Sequence, residues 1–449
     1  NKLNLEYFWV YRFFHLVSVS IMKALSALRI LRSRASLVQF PQVQRLSTAV
    51  TGTTQVDLYN PTEEHAALRT MLRDFVENEV DPQALEHNRK ELFNVDLFRK
   101  LGDLGLLGIT VDPEYGGSGM DASAAVIAHE ELAASDPAFC LSYLAHSMLF
   151  VNNLARNGSH DQKSKFLPGA CTGEKIGGMG MSEPGAGTDV LSMTTTATKS
   201  ADGLSYTING AKMWITNGTI DGTDTGDVFL IYARTSDDPR TGLTSFLIEK
   251  GMPGFTLGQK IEDKCGMRAS HTAELVFDNV VVPAENIVGE LGGATLCMMR
   301  NLEIERITLA AMSLGIARRS IEVMSAYSQE RKAFGKAIGE FGQIQKAISE
   351  SYAEFMAGRA YVYDVARQLD LESYGNGLDA DGVKLYCAPM AKNVADRAIQ
   401  VLGGYGYVGE YQVERLWRDA KLLEIGGGTN EAHHKNMARD IRRNHTKII

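Results

Sequence analysis

Cysteine is scarce in this chain: five in 449 residues, at positions 140, 171, 265, 297 and 387, with no two arranged as C-x-x-C. The odd count and wide spacing exclude a disulfide framework and a zinc site of the usual pattern, and they suit a reducing compartment. No G-x-x-x-x-G-K-[ST], H-E-x-x-H or G-x-S-x-G is present. That argues against nucleotide hydrolysis, zinc-dependent proteolysis and serine hydrolysis. Proline is sparse, eleven against 43 glycines, so most tight turns fall to glycine. A basic surplus is absent as well. Taking the seven bases and one acid of residues 1–47 from the totals of 46 Lys plus Arg and 54 Asp plus Glu leaves a balance of −14. A surface of that sign repels nucleic acid.

Acid is missing in turn from residues 22–56, where Lys23, Arg29, Arg32, Arg34 and Arg45 recur among Leu, Ala and Ser. That is the pattern of a mitochondrial presequence, so a matrix address is expected. The chain opens on Asn1 and Met22 starts the pattern, so residues 1–21 are expected to lie upstream of the true start and to carry no function. Their apolar stretch includes Arg12 and His15 and falls short of the roughly 20 residues that span a bilayer. No membrane span is expected elsewhere.

The length suggests about three domains at roughly 150 residues each, and 44% hydrophobic with 22% charged residues is ordinary globular usage. Past Pro61, Thr62 reads as an N-cap, with Glu63 and Glu64 in a first turn and Leu68, Met71, Leu72, Phe75 and Val76 at helical spacing. Similar patterns cover 97–104, 122–134 and 141–154, so 57–175 reads as a helical domain. Residues 176–290 change character. Asp202-Gly203 and Asn209-Gly210 read as hairpin turns beside strand-like runs, continued at 228–232, 244–248 and 273–282. From 291 to 449 the helical period returns in four long stretches, broken at 335–342, 375–377, 403–409 and 426–428. The expected class is α+β: an all-α domain, a β-barrel-like middle domain and a C-terminal four-helix bundle, with 1–56 set apart as presequence and upstream extension.

Gly404 to Gly409 spells G-x-G-x-x-G, but it follows a helical run where a dinucleotide fingerprint needs a strand. It is rejected as a Rossmann signature. The N-x-[ST] matches at Asn157, Asn217 and Asn444 are chance matches in a mitochondrial protein. Three polar, glycine-rich segments remain: 179–189 (MGMSEPGAGTD), 212–218 (KMWITNG) and 418–431 (RDAKLLEIGGGTNE). Each alone reads equally well as an ordinary turn.

Together with ERKAFGK at 330–336 and QVLGGYGY at 400–407, in this order and spacing, they resemble the acyl-CoA dehydrogenases over roughly residues 57–445. The segments AHS at 145–147, RNG at 156–158, EKGMPGF at 249–255 and LEIER at 302–306 are most similar to members acting on isovaleryl-CoA. The resemblance implies FAD as cofactor, an acyl-CoA substrate, electron-transferring flavoprotein as partner, a homotetramer and the acyl-CoA dehydrogenase fold. It implies a flavin-side loop of Met179, Gly180, Met181, Ser182, Glu183, Pro184, Gly185, Ala186, Gly187 and Thr188. Trp214, Ile215 and Thr216 would pack on the ring. Arg331 would pair with the pyrophosphate, and Gln400, Val401, Leu402, Gly403, Gly404, Thr429, Asn430 and Glu431 would complete the site, some of them on a neighbouring subunit. Thr188, Arg240, Thr241, Glu303, Ile304, Arg306, Gly427 and Gly428 would contact acyl-CoA.

The implied reaction removes the α-hydrogen as a proton and the β-hydrogen as a hydride, and so needs a general base. Many members carry a Glu in the loop that reads GGGTNE here, where this chain has Gly427; the resemblance instead selects Glu305. Glu303 lies two residues away and so points about 200° around the helix. Gly427 would keep a role through its backbone N–H. Three positions depart from the family pattern: Leu296 for Tyr, Glu303 for Asp and Gly342 for Gln. Two rivals stay open at this point: another enzyme on the same scaffold, such as an oxidase or a straight-chain dehydrogenase, and a non-enzymatic scaffold without FAD.

Overall fold

The computed structural model describes residues 57–238, 241–373 and 375–443. The expected presequence and upstream extension therefore lie outside the described residues, as do Asn444 and the chain end. The N-terminal helices are α1 Glu63–Phe75, α2 Asp81–Lys90, α3 Val95–Asp103, α4 Ala122–Ser135, α5 Pro137–Leu144, α6 Asn153–Asn157 and α7 His160–Cys171. Thr62 caps α1 by accepting from His65 N–H, as its sequence position predicts. Asp136 accepts from the N–H groups of Ala138 and Phe139, so the Asp-Pro pair ends one helix and starts the next. A π-helical segment, Ala145–Asn152, joins α5 to α6. The resulting run Pro137–Asn157 is long and apolar enough to cross a membrane, but nearly all of it is buried among its neighbours.

Eight strands follow: β1 Gly177–Gly180, β2 Thr196–Lys199, β3 Ser205–Thr216, β4 Val228–Arg234, β5 Leu243–Glu249, β6 Phe255–Ile261, β7 Thr272–Pro283 and β8 Ile287–Val288. They form one sheet in the order β6-β7-β3-β2-β4-β5-β8, with β1 parallel to β4. Asp202-Gly203 turns β2 into antiparallel β3, as expected. Asn209-Gly210 does not make a hairpin. It lies inside β3 at a register shift against β7, where Gly210 has φ +143 and an added Cβ would stand 2.8 Å from Thr195 Cα. The dipeptide makes a bulge because β7 pairs with β3 on both sides of it.

The C-terminal region comprises α8 Ala294–Glu330, the short pair β9 Lys332–Ala333 and β10 Lys336–Ala337, α9 Gly342–Gln368, α10 Gly377–Leu402, α11 Gly404–Tyr407, α12 Val413–Leu423 and α13 Asn430–Arg443. Three helices are long, at 37, 27 and 26 residues, while the expected fourth is split into α12 and α13, at 11 and 14. A helix precedes the G-x-G-x-x-G run and a single helical turn occupies it, so no dinucleotide fold forms there.

One apolar core unites Leu72, Phe98, Val126, Leu314, Val362, Val394 and Leu416, so the N-terminal helices and the bundle bury one another. Every residue of α4 is buried, the mark of a central helix. Gly315 lets α8 press on it: a Cβ there would meet Glu130 O at 2.5 Å. Arg69, Arg318 and Arg359 converge on Glu130 and Glu131, tying α1, α8 and α9 to α4. Glu305 therefore sits on a helix whose position is fixed from several sides.

Candidate active site

Glu305 lies on α8 at 6% exposure and, among the described residues, makes no ion pair. Its Oε2 meets no hydrogen-bond partner among the described residues. Burial pushes its carboxyl up to about 7 from the ordinary 4.5, with Arg306 and then Lys384 pulling the other way. A carboxyl poised near neutrality with a free oxygen is equipped to take a proton. Glu303 is buried too, but its Oε1 accepts from Gly375 N–H at 3.0 Å. The two acids thus face different neighbours, as a two-residue offset on a helix requires.

Opposite Glu305 runs the glycine loop between α12 and α13. Gly427 and Gly428 have φ of +66 and +96, and an ideal Cβ on Gly427 would lie 3.3 Å from Glu305 Oε1. The Cβ would also overlap Leu309 Cδ1, one helical turn beyond Glu305. A side chain at 427 is therefore excluded both by backbone conformation and by space. Among the described residues, the N–H groups of Gly427 and Gly428 meet no protein acceptor. Two unpaired donors beside a buried carboxyl are suited to receive a developing oxyanion.

The flavin-side segments are brought together by β1 and β3. Met213 N–H donates to Ser182 O at 2.9 Å, and Lys212 Nζ to Met181 O at 3.1 Å. Glu183 and Ala186 exchange backbone hydrogen bonds around Pro184 and Gly185, making a tight turn. The Glu183 side chain is fully engaged: it accepts from Lys212 Nζ at 2.8 Å and from the backbones of Thr194 and Thr195. Only its backbone is left for a cofactor. Added Cβ atoms at Gly185 and Gly187 would meet nothing within 4 Å, so this loop is open. Thr188 is exposed, Gly180 is buried and Ser182 is half-buried, while Met179 and Met181 pack beneath the loop on the cluster containing Met298 of α8.

Trp214 is 54% exposed with φ +62 at a register shift in β3. Among the described residues no ring packs on it. An exposed indole held in a left-handed conformation is costly for a bulky residue, and this disposes of the ordinary reading of Trp214 as core. Ile215 is buried in the sheet core, and Thr216 pairs with Thr272. The open glycine loop and the presented indole fit a flavin.

A second opening of about 560 Å³ is lined by Arg331, Val401, Leu402, Gly403 and Gly404, with Gln400 exposed beside it. Arg331 caps α8, 26 residues beyond Glu305, or about 39 Å along the axis. This groove is a different surface from the one at Glu305. Asn430 and Glu431 begin α13, and Thr429 Oγ1 accepts from Ala432 N–H.

Arg306 pairs with Asp381 at 2.9 Å, Ile304 is core and Thr241 is exposed, its N–H donating to Asp238. Arg240 lies outside the described residues. Of the departures, Leu296 is 41% exposed on the first turn of α8, and Gly342 opens α9 with no atom near its Cβ position. Sequence reasoning missed Lys384, Asp381 and His433 behind the glycine loop. Their signal was Asp381 and Lys384 three residues apart on an otherwise apolar stretch of α10.

A buried carboxyl on α8 facing free glycine N–H groups, in a chain that runs helical, β, helical, is equipped for proton abstraction beside a developing negative charge. The descriptions "Acyl-CoA dehydrogenase, N-terminal domain", "middle domain" and "C-terminal domain" match residues 62–174, 178–280 and 292–442. The chain belongs to the acyl-CoA dehydrogenase family, FAD-dependent oxidoreductases. It is 40% identical over 406 residues to a mitochondrial isovaleryl-CoA dehydrogenase of Solanum tuberosum, covering 90% of this chain and 94% of that one. It is 39% identical to a short-chain-specific acyl-CoA dehydrogenase of Clostridium acetobutylicum, covering 83% and 96%. Among solved structures, butyryl-CoA dehydrogenase from Megasphaera elsdenii superimposes with TM-score 0.81 at 36% identity, covering 87% and 100%. A glutaryl-CoA dehydrogenase from Mycobacterium smegmatis in complex with FADH2 gives 0.78 at 29%, covering 85% and 95%.

Proposed function

We propose that this enzyme oxidises a short branched acyl-CoA, with isovaleryl-CoA as its best substrate, to 3-methylcrotonyl-CoA. Glu305 takes the α-proton at its free carboxylate oxygen, while the N–H groups of Gly427 and Gly428 donate to the thioester oxygen as negative charge develops there. FAD, held by the 179–188 loop and Trp214 to Thr216, supplies the acceptor for the β-hydrogen as hydride. The observation that carries the substrate reading is the pairing of Glu305 with Gly427. With the base on α8, position 427 carries no carboxylate side chain beside the reacting carbons, which suits a substrate branched at C3.

Electrons pass on to an electron-transferring flavoprotein. Arg331, at the far end of the helix that carries Glu305, and the 400–404 groove at the end of α10 serve the cofactor of a neighbouring subunit in a homotetramer. Residues 22–56 direct the protein to the mitochondrial matrix. The test is to assay the flavin-loaded enzyme with isovaleryl-, 2-methylbutyryl-, isobutyryl-, butyryl- and octanoyl-CoA and a dye acceptor. Isovaleryl-CoA is expected to exceed butyryl-CoA in kcat/KM by about 10- to 200-fold. Octanoyl- or isobutyryl-CoA ahead by about tenfold would overturn the substrate assignment.

A further inference from the structure

Behind the glycine loop lies a set of buried charges that the reaction as described does not use. Lys384 on α10 is wholly buried, and its ammonium donates to Gly428 O at 2.5 Å. Among the described residues it has no carboxylate partner within salt-bridge distance. Beside it, Asp381 accepts from His433 Nδ1 at 2.5 Å and from Arg306 at 2.9 Å, joining α13, α10 and α8 beneath the loop. A Cβ on Gly428 would touch the His433 ring at 3.2 Å, so the loop rests on this network.

An ammonium buried against one backbone carbonyl is a poor choice for stability, since an apolar side chain of similar volume avoids the desolvation cost. Burial brings Lys384 down to about 8, against the pull of Glu305 first and then Asp381 and Glu424, with Arg306 adding to the fall. Lys384 in turn is one of two cations that favour the ionised form of Glu305, the other being Arg306. The remaining titratable groups around the pair are His433 from α13 and Tyr232 from β4.

We propose that Lys384 is a positioning residue of the dehydrogenation: its ammonium, through Gly428 O, fixes the glycine loop opposite Glu305. The inference rests on Glu305 being the base. Fixing the loop keeps the two free N–H groups of Gly427 and Gly428 at the thioester oxygen, and the same charge helps Glu305 ionise. A merely structural lysine would do neither.

The experiment compares wild type, Lys384→Met and Lys384→Gln as flavin-loaded holoenzymes, reading kcat, KM and the pH profile of kcat/KM, with thermal unfolding alongside. K384M is expected to unfold at the same or a higher temperature, yet to lose about tenfold or more in kcat with KM little changed. Its acid-side inflection should move up by about half a pH unit or more, because a cation near Glu305 is gone. K384Q, which keeps a donor for Gly428 O but no charge, should recover part of kcat while showing the same displaced inflection. A folded K384M with wild-type kcat and pH profile overturns the proposal. If K384M does not fold, wild-type kcat and profile in K384Q overturn it equally. Wild-type enzyme inactive on every acyl-CoA would instead refute the function on which the inference rests.

Discussion

A Cβ built on Gly427 would stand 3.3 Å from Glu305 Oε1, so the carboxyl proposed as base and the glycine loop lie directly against each other. The pairing also fixes what position 427 tolerates. Gly427→Ala forces an L-residue into φ +66 and against Leu309. We expect a stability loss of about 1–3 kcal/mol together with a fall in kcat, measured by chemical denaturation and steady-state assay. A G427A enzyme as stable and active as wild type would show that the loop is not held as described.

Glu305 titrates near 7 in the folded protein, against an ordinary 4.5. As a base it acts only when ionised, so kcat/KM should rise with pH through about 7 and level off above. Stability runs the other way. The folded carboxyl keeps its proton to higher pH than the unfolded one, so its contribution is full below 4.5 and is lost as pH rises through about 7. Glu305→Gln should therefore raise the unfolding temperature more at alkaline pH than at acid pH. Calorimetry across that range reads the difference directly, and an equal effect at both ends would contradict the raised value.

Trp214 offers a different kind of test, because a core indole and a cofactor platform respond differently to truncation. Removing a buried Trp costs about 3–5 kcal/mol. Trp214 is 54% exposed, so Trp214→Ala should leave the flavin-free protein nearly as stable as before while weakening retention of FAD. Absorbance of the purified protein and unfolding of its flavin-free form separate the two.

Local rules were legible wherever neighbours in sequence decide the outcome. Thr62 caps its helix and Asp202-Gly203 turns its hairpin through contacts within a few residues, and Glu303 diverges from Glu305 by the helical repeat alone. Asn209-Gly210 was misread because its conformation is decided by β7, some 70 residues on, where Asn279 N–H donates to Asn209 Oδ1. Lys384 escaped for the same reason: its partner Gly428 is 44 residues away. Trp214 is placed beside a flavin by the family resemblance alone, and its exposed position coincides with the register shift between β3 and β7. The base itself was legible only through family resemblance, since the neighbours that mark it, Gly427 and Lys384, come from far along the chain.

The most direct test of the account is single-turnover reduction of the bound flavin by isovaleryl-CoA in Glu305→Gln. The amide preserves volume but cannot accept the α-proton, so the rate should fall by about 10²- to 10⁴-fold with FAD content unchanged and the pH dependence near 7 abolished. Flavin reduction at close to the wild-type rate in E305Q, with the inflection still present, would contradict the assignment and move the base elsewhere.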